Sequence, residues 1–191
     1  MFFAPVSLTF SIAKIPVMLF VAYIILGLIA GLLISAAFMP RSYVIEKTIV
    51  IQSPLQAVMS KVGDLHFYSQ WNPWQQKDAT AKGTITGTPM APGHRYSWEG
   101  KKVGVGSLTL NSVDEKHLHF DLEFIKPFQS KAKDNWAFEA EADNATKVIW
   151  QNSGSFPWPM ARLMGPMITR SLHQQFEQGL VNLKKMCERE S

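Results

Sequence analysis

The feature that most constrains this chain is an apolar stripe near its C-terminal end, from Pro159 to Glu188. Met160, Leu163, Met164, Met167, Ile168, Leu172, Phe176, Leu180, Leu183 and Cys187 recur there, mostly at steps of three or four. That is the spacing of one face of an α-helix. Arg170, Gln174, Gln178, Lys184 and Glu188 fall on the other face and suit water. Gly165-Pro166 sits near the start, and proline is tolerated in a first helical turn but disruptive in an interior one. The spacing therefore predicts a short helical piece over 160–164, a kink or restart, and then one long helix to residue 187. A helix of ~22 residues is ~33 Å long. It cannot bury such a stripe alone, so a broad apolar surface must wrap it.

The other end of the chain is unlike any globular domain. Ile15 to Met39 is a run of 25 residues with no charge, and fourteen of them are Leu, Ile, Val or Phe. Those fourteen favour insertion by about 4 to 8 kcal/mol in sum. As a helix the run is ~37 Å long, against a hydrocarbon core of ~30 Å. An uncleaved transmembrane anchor over 15–39 is the favoured reading, behind a short tail at 1–14. Two alternatives stay open. A cleaved signal could use Ser35-Ala36-Ala37, although signal peptides carry only about 7–15 apolar residues. A buried core helix is the other. Lys14 on one side and Arg41 with Lys47 on the other leave the orientation undecided under the positive-inside rule. The expected location is a membrane, as a single-pass protein of a bacterial inner membrane.

Charge and cysteine content exclude some classes. Taking Lys14 and Arg41 from the 19 basic residues leaves 17 against 15 acidic ones, a net +2. The basic residues are scattered and form no stripe, so no nucleic-acid partner is expected. The single cysteine, Cys187, allows no internal disulfide and lies in the helical stripe.

Pro40 to Ser42 is the only linker before structure resumes, and three extended residues reach ~10 Å at most. Residues 43–191 then form one domain. Tyr43 to Gln52 is rich in β-branched residues and reads as a strand. Ser53 is placed to cap a short helix with Pro54 at its first position. Leu55, Val58, Met59 and Val62 give that helix an apolar face, and it stops at Gly63. A second short helix is expected between Asp64 and Trp74, running into a turn at Asn72-Pro73. Strands follow at Ala79–Gly87, Gly93–Glu99, Lys102–Val113, Lys116–Lys126, Ser130–Ala142 and Thr146–Phe156. Asp143-Asn144 is the turn signal between the last two. Alternation is cleanest in Lys116–Lys126. Leu118, Phe120, Leu122 and Phe124 share one face, and His117, His119, Asp121 and Glu123 share the other. An antiparallel sheet of about seven strands, curved around the long helix, buries both surfaces.

Several short motifs mark this domain. They are Ile49-Val50-Ile51-Gln52-Ser53-Pro54, Trp71-Asn72-Pro73-Trp74, Tyr96-Ser97-Trp98 with Gly104-Val105-Gly106, Val148-Ile149-Trp150 with Gly154, and Phe176-Glu177-Gln178-Gly179-Leu180. Through them, residues 42–188 resemble the START-like helix-grip superfamily (SRPBCC), and within it the polyketide cyclase/dehydrase and lipid transport group. The resemblance implies an α+β helix-grip fold with a cavity between sheet and C-terminal helix. The expected lining is Tyr96, Trp98, Phe120, Trp136, Trp150, Met164 and Met167, with Trp74 and Trp158 at the mouth. Tryptophan and methionine make large, adaptable apolar walls.

Catalytic signals are thin. His117-x-His119 could bind a metal, but the opposite face of its strand is apolar, so the histidines should look at water. No metal and no cofactor is expected. Asp134 and Asn152 are the inward polar residues that could serve acid–base chemistry. The partner expected is a membrane lipid or another hydrophobic small molecule, with the bilayer engaged through 15–39. Two alternatives remain for the domain: a cyclase- or dehydrase-like enzyme using the same cavity, and a co-chaperone-like protein-interaction module. Shared fold does not decide among them.

Overall fold

The computed structural model describes residues 14–75, 78, 80–127, 129–142 and 144–189. Residues 1–13 of the expected N-terminal tail lie outside the described residues. So do Ala79 at the start of one expected strand and Asp143 of the expected turn. The chain divides into two compact units, Met1–Met39 and Pro40–Ser191.

The first unit contains helix α1, Lys14–Phe38. Its span Val17–Phe38 has a mean hydropathy of 2.9 over 22 residues and none of its most apolar window is buried. Over Val17–Phe38 its apolar side chains stand around the whole circumference.

The second unit opens with β1 (Ser42–Ile51), α2 (Leu55–Gly63) and α3 (Tyr68–Trp71). Six strands follow: β2 (Lys82–Thr86), β3 (Arg95–Gly100), β4 (Gly104–Val113), β5 (His117–Lys126), β6 (Ser130–Ala142) and β7 (Ala145–Ser155). Helix α4 (Met160–Arg189) ends the unit. The seven strands form one antiparallel sheet in the order β1-β7-β6-β5-β4-β3-β2. Register shifts in the β4–β5 pair and near Ala140/Ala142 in the β6–β7 pair mark bulges. Bulges bend and twist a sheet, which gives it the curvature to hold a helix. Gly104 turns into β4 with a φ of +71°, and a Cβ there would strike the Lys126 carbonyl. This is the helix-grip fold.

Alternation decides which residues meet α4. Ile45, Leu110, Leu118, Phe120, Trp136, Phe138, Val148 and Trp150 point inward and are buried. Phe176, Leu180, Leu183 and Cys187 of α4 cover them. The centre is an aromatic stack. Trp136 and Trp150 lie 4.3 Å apart, centroid to centroid, at 18°. Trp150 and Phe176 lie 3.9 Å apart at 27°. Trp71 adds its edge to both Trp136 and Trp150, at 5.7 and 5.8 Å. The C-terminal half of α4 is also tied to β1 by polar contacts: Lys184 Nζ donates to the Val50 carbonyl at 2.8 Å, and the Gln52 N–H donates to Glu188 Oε1 at 2.8 Å.

Three local expectations are corrected. Helix α4 does not restart at Pro166 but runs through it. Pro166 stands in the second turn, where it costs one backbone hydrogen bond, and the buried Gly165 beside it packs under the Phe156 ring. Ser53 does not cap α2. Pro54 occupies the cap position without a side-chain bond, while the Ser53 carbonyl accepts the Thr146 hydroxyl at 2.8 Å. The apolar stripe of α4 is really two stripes. At ~100° per residue, Met167 stands nine residues before Phe176 and so about half a turn away from the core face. Met160, Met164 and Met167 are accordingly exposed.

Helix α4 crosses the stack at Gly179, where a Cβ would lie 2.9 Å from the Trp150 ring. Replacing glycine in a helix gains a few tenths of a kcal/mol for a β-branched residue, but overpacking a fixed ring costs ~1–3 kcal/mol. Gly179→Val should therefore lower stability by ~1–3 kcal/mol in a thermal or urea melt; an unchanged midpoint would mean that α4 can slide over the sheet.

Candidate functional site

The buried stripe of α4 begins at Phe176, and the space in front of it is a cavity of ≈ 430 Å³. Tyr43 of β1 and Tyr68 of α3 line it, with Asn72, Trp74 and Gln75 from the loop behind α3. The sheet contributes Tyr96 and Trp98 from β3, Leu108 from β4, Leu122 and Phe124 from β5, Asp134 from β6, and Trp150 and Asn152 from β7. Lys102 and Val103 of the β3–β4 turn line it too, and α4 closes it with Leu172 and Phe176.

Two details hold the aromatic wall. Trp98 pairs across the ladder with Gly106, and any Cβ at Gly106 would overlap the indole. The Trp98 Nε1–H donates to the Val103 carbonyl at 3.2 Å. The turn itself is knotted by Asp78, whose Oδ2 accepts the Lys102 N–H at 2.6 Å and whose Oδ1 accepts the Thr80 hydroxyl at 2.6 Å. The Thr80 hydroxyl and the Lys102 N–H hold the Asp78 carboxyl down to about 2. Tyr96 donates its hydroxyl to Gln75 Oε1 at 2.6 Å.

The polar feature of the cavity is Asp134, which is 5% exposed. It sits directly across the ladder from Asn152. Its Oδ1 accepts Trp150 Nε1–H at 2.8 Å and Asn152 Nδ2–H at 2.9 Å, and its Oδ2 accepts Trp136 Nε1–H at 3.2 Å. Burial pushes its pKa up to about 6, although the three donors pull the other way. Burial also pushes the Tyr43 phenol up to about 12, and the charge of Asp134 adds to the rise. Tyr68 is raised as well, by burial first and then by Asp134. A carboxyl at the floor of an apolar box, facing two phenols, can accept hydrogen bonds, pair with a cation, or exchange a proton near neutral pH.

The residues expected at the site fall into three groups. Tyr96, Trp98, Trp150, Trp74, Asp134 and Asn152 come together around the cavity. Phe120 and Trp136 are packed in the core behind it, 1% and 2% exposed. Met164 and Met167 lie on the outer face of α4, and Trp158 is exposed in the segment before it. Tyr43, Tyr68, Asn72, Gln75, Lys102 and Val103 join the lining without a signal in the sequence, because loops and a short helix bring most of them in from distant positions. Leu122 and Phe124 do carry a signal, as the inward face of β5, but nothing in that alternation separates a cavity wall from a packed core.

His117 and His119 look outward. His117 Nδ1 contacts Asp114 Oδ1 at 3.0 Å and His119 Nδ1 contacts Asn135 Oδ1 at 2.8 Å, so each has its own partner. A different cluster, Asp64, His66 and His94, gathers its ligand atoms within 4.8 Å. His94 is wholly buried, and both of its nitrogens are engaged. Nε2 accepts the Leu65 N–H at 3.0 Å, which leaves Nδ1 to donate to the Thr86 carbonyl at 3.1 Å. The ring clips the α2–α3 segment to β2, and a metal would have to break that clip.

Residues 43–188 match the family described as "Polyketide cyclase / dehydrase and lipid transport". Among curated proteins none matches the chain. Among solved structures, the chain is similar to the ZhuI aromatase/cyclase from Streptomyces sp. R1128, with a TM-score of 0.60 and 12% identity over 78% of this chain and 94% of that one. It is also similar to a START superfamily protein from Mycobacterium smegmatis, with a TM-score of 0.57 and 16% identity over 78% of this chain and 99% of that one.

The pH dependence of stability isolates Asp134. Its carboxyl ionises at about 6 in the folded domain and near ~3.9 in an unfolded chain. The folded state binds that proton more tightly, so the group's stabilising contribution is complete below the unfolded value and is lost as pH rises through about 6. The gap corresponds to about 3 kcal/mol. Asp78 and Asp114 shift downward, so their contributions are lost only on further acidification. Relative to Asp134→Asn, the wild-type melting midpoint should therefore gain as pH falls from about 8 to about 5. A midpoint difference between the two proteins that stays constant over the same range would contradict the buried charge.

Proposed function

The chain belongs to the polyketide cyclase/dehydrase and lipid transport family, and from that premise we propose that it is a membrane-tethered domain that takes up a lipid or other hydrophobic small molecule. The observation that carries the reading is the cavity. Its ≈ 430 Å³ falls within the ~300–1,000 Å³ of small-molecule sites, and its walls are mainly aromatic and aliphatic with a few polar groups. A closed core would have filled that volume.

Two features support the tether. Helix α1 has the length and composition to cross a bilayer. Three residues separate it from β1, a link of ~10 Å at most. The domain also exposes apolar side chains of its own. Trp158, Met160, Met164, Met167 and Val44 are all exposed. Val44 lines a groove with Pro40, Gly165, Pro166 and Arg170. Between Phe156 and Phe176 the charged residues are Arg162 and Arg170, with no acidic residue. Tryptophan, methionine and arginine together suit the headgroup level of an anionic leaflet. A protein-interaction module would also need such a patch, but its basic character and its place beside residue 40 favour lipid.

A second reading has its own observation. Asp134, with its raised pKa, reaches a cavity that could hold a substrate, and the ZhuI neighbour is named an aromatase/cyclase. On that reading Asp134 is the acid–base group and Asn152 its positioning partner.

Native mass spectrometry of the full chain released from lipid nanodiscs separates these readings. A binding module should carry a discrete added mass, lost when Leu122→Trp narrows the cavity. A changed mass of an added ligand, abolished by Asp134→Asn, would move the function to catalysis. Bare, folded protein after incubation with membrane lipid extract would count against the binding module. The bilayer contact has a separate test. Trp158 is 52% exposed, and nanodiscs made with brominated lipid should quench its emission. That quenching should vanish in Trp158→Phe; equal quenching in both proteins would remove the docking face.

A further inference from the structure

We infer that the molecule bound in the cavity is a hydrophobic amine, held as its ammonium ion with the charged end against Asp134. The inference rests on the reading of the cavity as a binding site and gives that site its ligand class.

The charge at the cavity floor is unbalanced. Asp134 is a buried carboxylate whose hydrogen-bond partners are three neutral N–H groups. Neutral donors orient a carboxylate but bring no opposite charge, and a buried anion without a counter-charge is costly. Among the described residues lining the cavity, the other charged side chain is Lys102, in the turn at the rim. The remaining titratable groups facing the space are the phenols of Tyr43, Tyr68 and Tyr96. All three are raised, by burial first, and so stay neutral at physiological pH.

The walls fit the same ligand. Trp74, Tyr96 and Trp98 line the space, while Trp150 is stacked between Trp136 and Phe176. Aromatic faces attract cations, most strongly where water is excluded. Two groups feel the field of Asp134, the Tyr43 and Tyr68 phenols, and their oxygens can accept the further N–H bonds of an ammonium ion. An alcohol could donate one hydrogen bond to the carboxylate but would leave the charge uncompensated. A carboxylate ligand would place a second negative charge beside the first, which a dry site disfavours. The cavity therefore selects amine over alcohol and alcohol over acid, with the apolar tail toward the rim.

The test uses the full chain in nanodiscs and three water-soluble probes of one shape: phenylbutylamine, phenylbutanol and phenylbutanoate. Binding is read by tryptophan emission and by saturation-transfer NMR. The amine should bind at least about tenfold more tightly than the alcohol, and the acid should bind most weakly. Asp134→Asn should bring the amine down to the alcohol's level. The wild-type protein gives an independent readout: the amine's advantage should fade as pH drops through about 6, where Asp134 takes up a proton while the amine keeps its charge. Equal affinity for amine and alcohol, or an amine preference unchanged by both Asp134→Asn and acid, overturns the inference and leaves the cavity reading standing. Failure of all three probes to bind overturns the amine inference, and the cavity reading then stands or falls on the lipid-extract mass spectra.

Discussion

Trp150 is the side chain on which sheet, helix and site all depend. One face of its indole lies on Trp136, the other on Phe176, and its N–H points at Asp134. A tryptophan buried this deeply needs an acceptor for its nitrogen. The acceptor here is a carboxylate that also takes the Trp136 N–H. The packing that attaches α4 to the sheet therefore fixes the polarity of the cavity floor. These are one constraint, because moving the ring would unseat Phe176 and leave an indole N–H unpaired at the same time.

The same stack explains where the cavity ends. Behind it, Phe120, Leu118 and Phe138 are wholly packed, and α4 is clasped by β1 through Lys184 and Glu188. In front of it, Leu172 is the one residue of the preceding α4 turns that reaches the space, and the wall passes to the loops around Trp74 and Val103. Helix α4 thus changes role along its length. Its second half is a core element. Its first half has a thin inner side and an outer side of exposed methionines, so one helix can close a cavity and present an apolar surface to its surroundings.

Much of this is legible in the residues. The seven strands, their inward faces and the long helix follow from periods of two and about 3.6, and the expected bounds of β6 match to the residue. Asp134 and Asn152 are visible as polar residues on inward faces. Their pairing is not. A plain two-residue turn after Ala142 would set Asp134 opposite Ser153, on the wrong face of β7. The shift between Ala140 and Ala142 moves the register by one and sets Asp134 against Asn152 and Trp136 against Trp150. Nothing in Ala140-Glu141-Ala142 announces a bulge. The methionines mislead for a related reason. Steps of three and one, as in Leu163-Met164-Met167-Ile168, allow two stripes at once, and only the phase set by Phe176 shows which one meets the sheet. The loop-borne wall has no periodic signal at all.

What remains is why residue 134 should be an aspartate. The indoles of Trp136 and Trp150 require acceptors, so an apolar residue there would orphan two buried donors. A protonated acid would satisfy them, and an amide would satisfy most of the set. Neither need carries a charge. Yet a carboxyl, unlike an amide, can ionise, and burial raises the Asp134 pKa to about 6, so carrying a charge inside the aromatic box costs stability. Packing explains an oxygen at this position but gives no reason for a charge. A cation, or a proton to be transferred, would. On the proposed reading, the stability given up at this buried position, inside a space this core leaves unfilled, is offset by what enters that space.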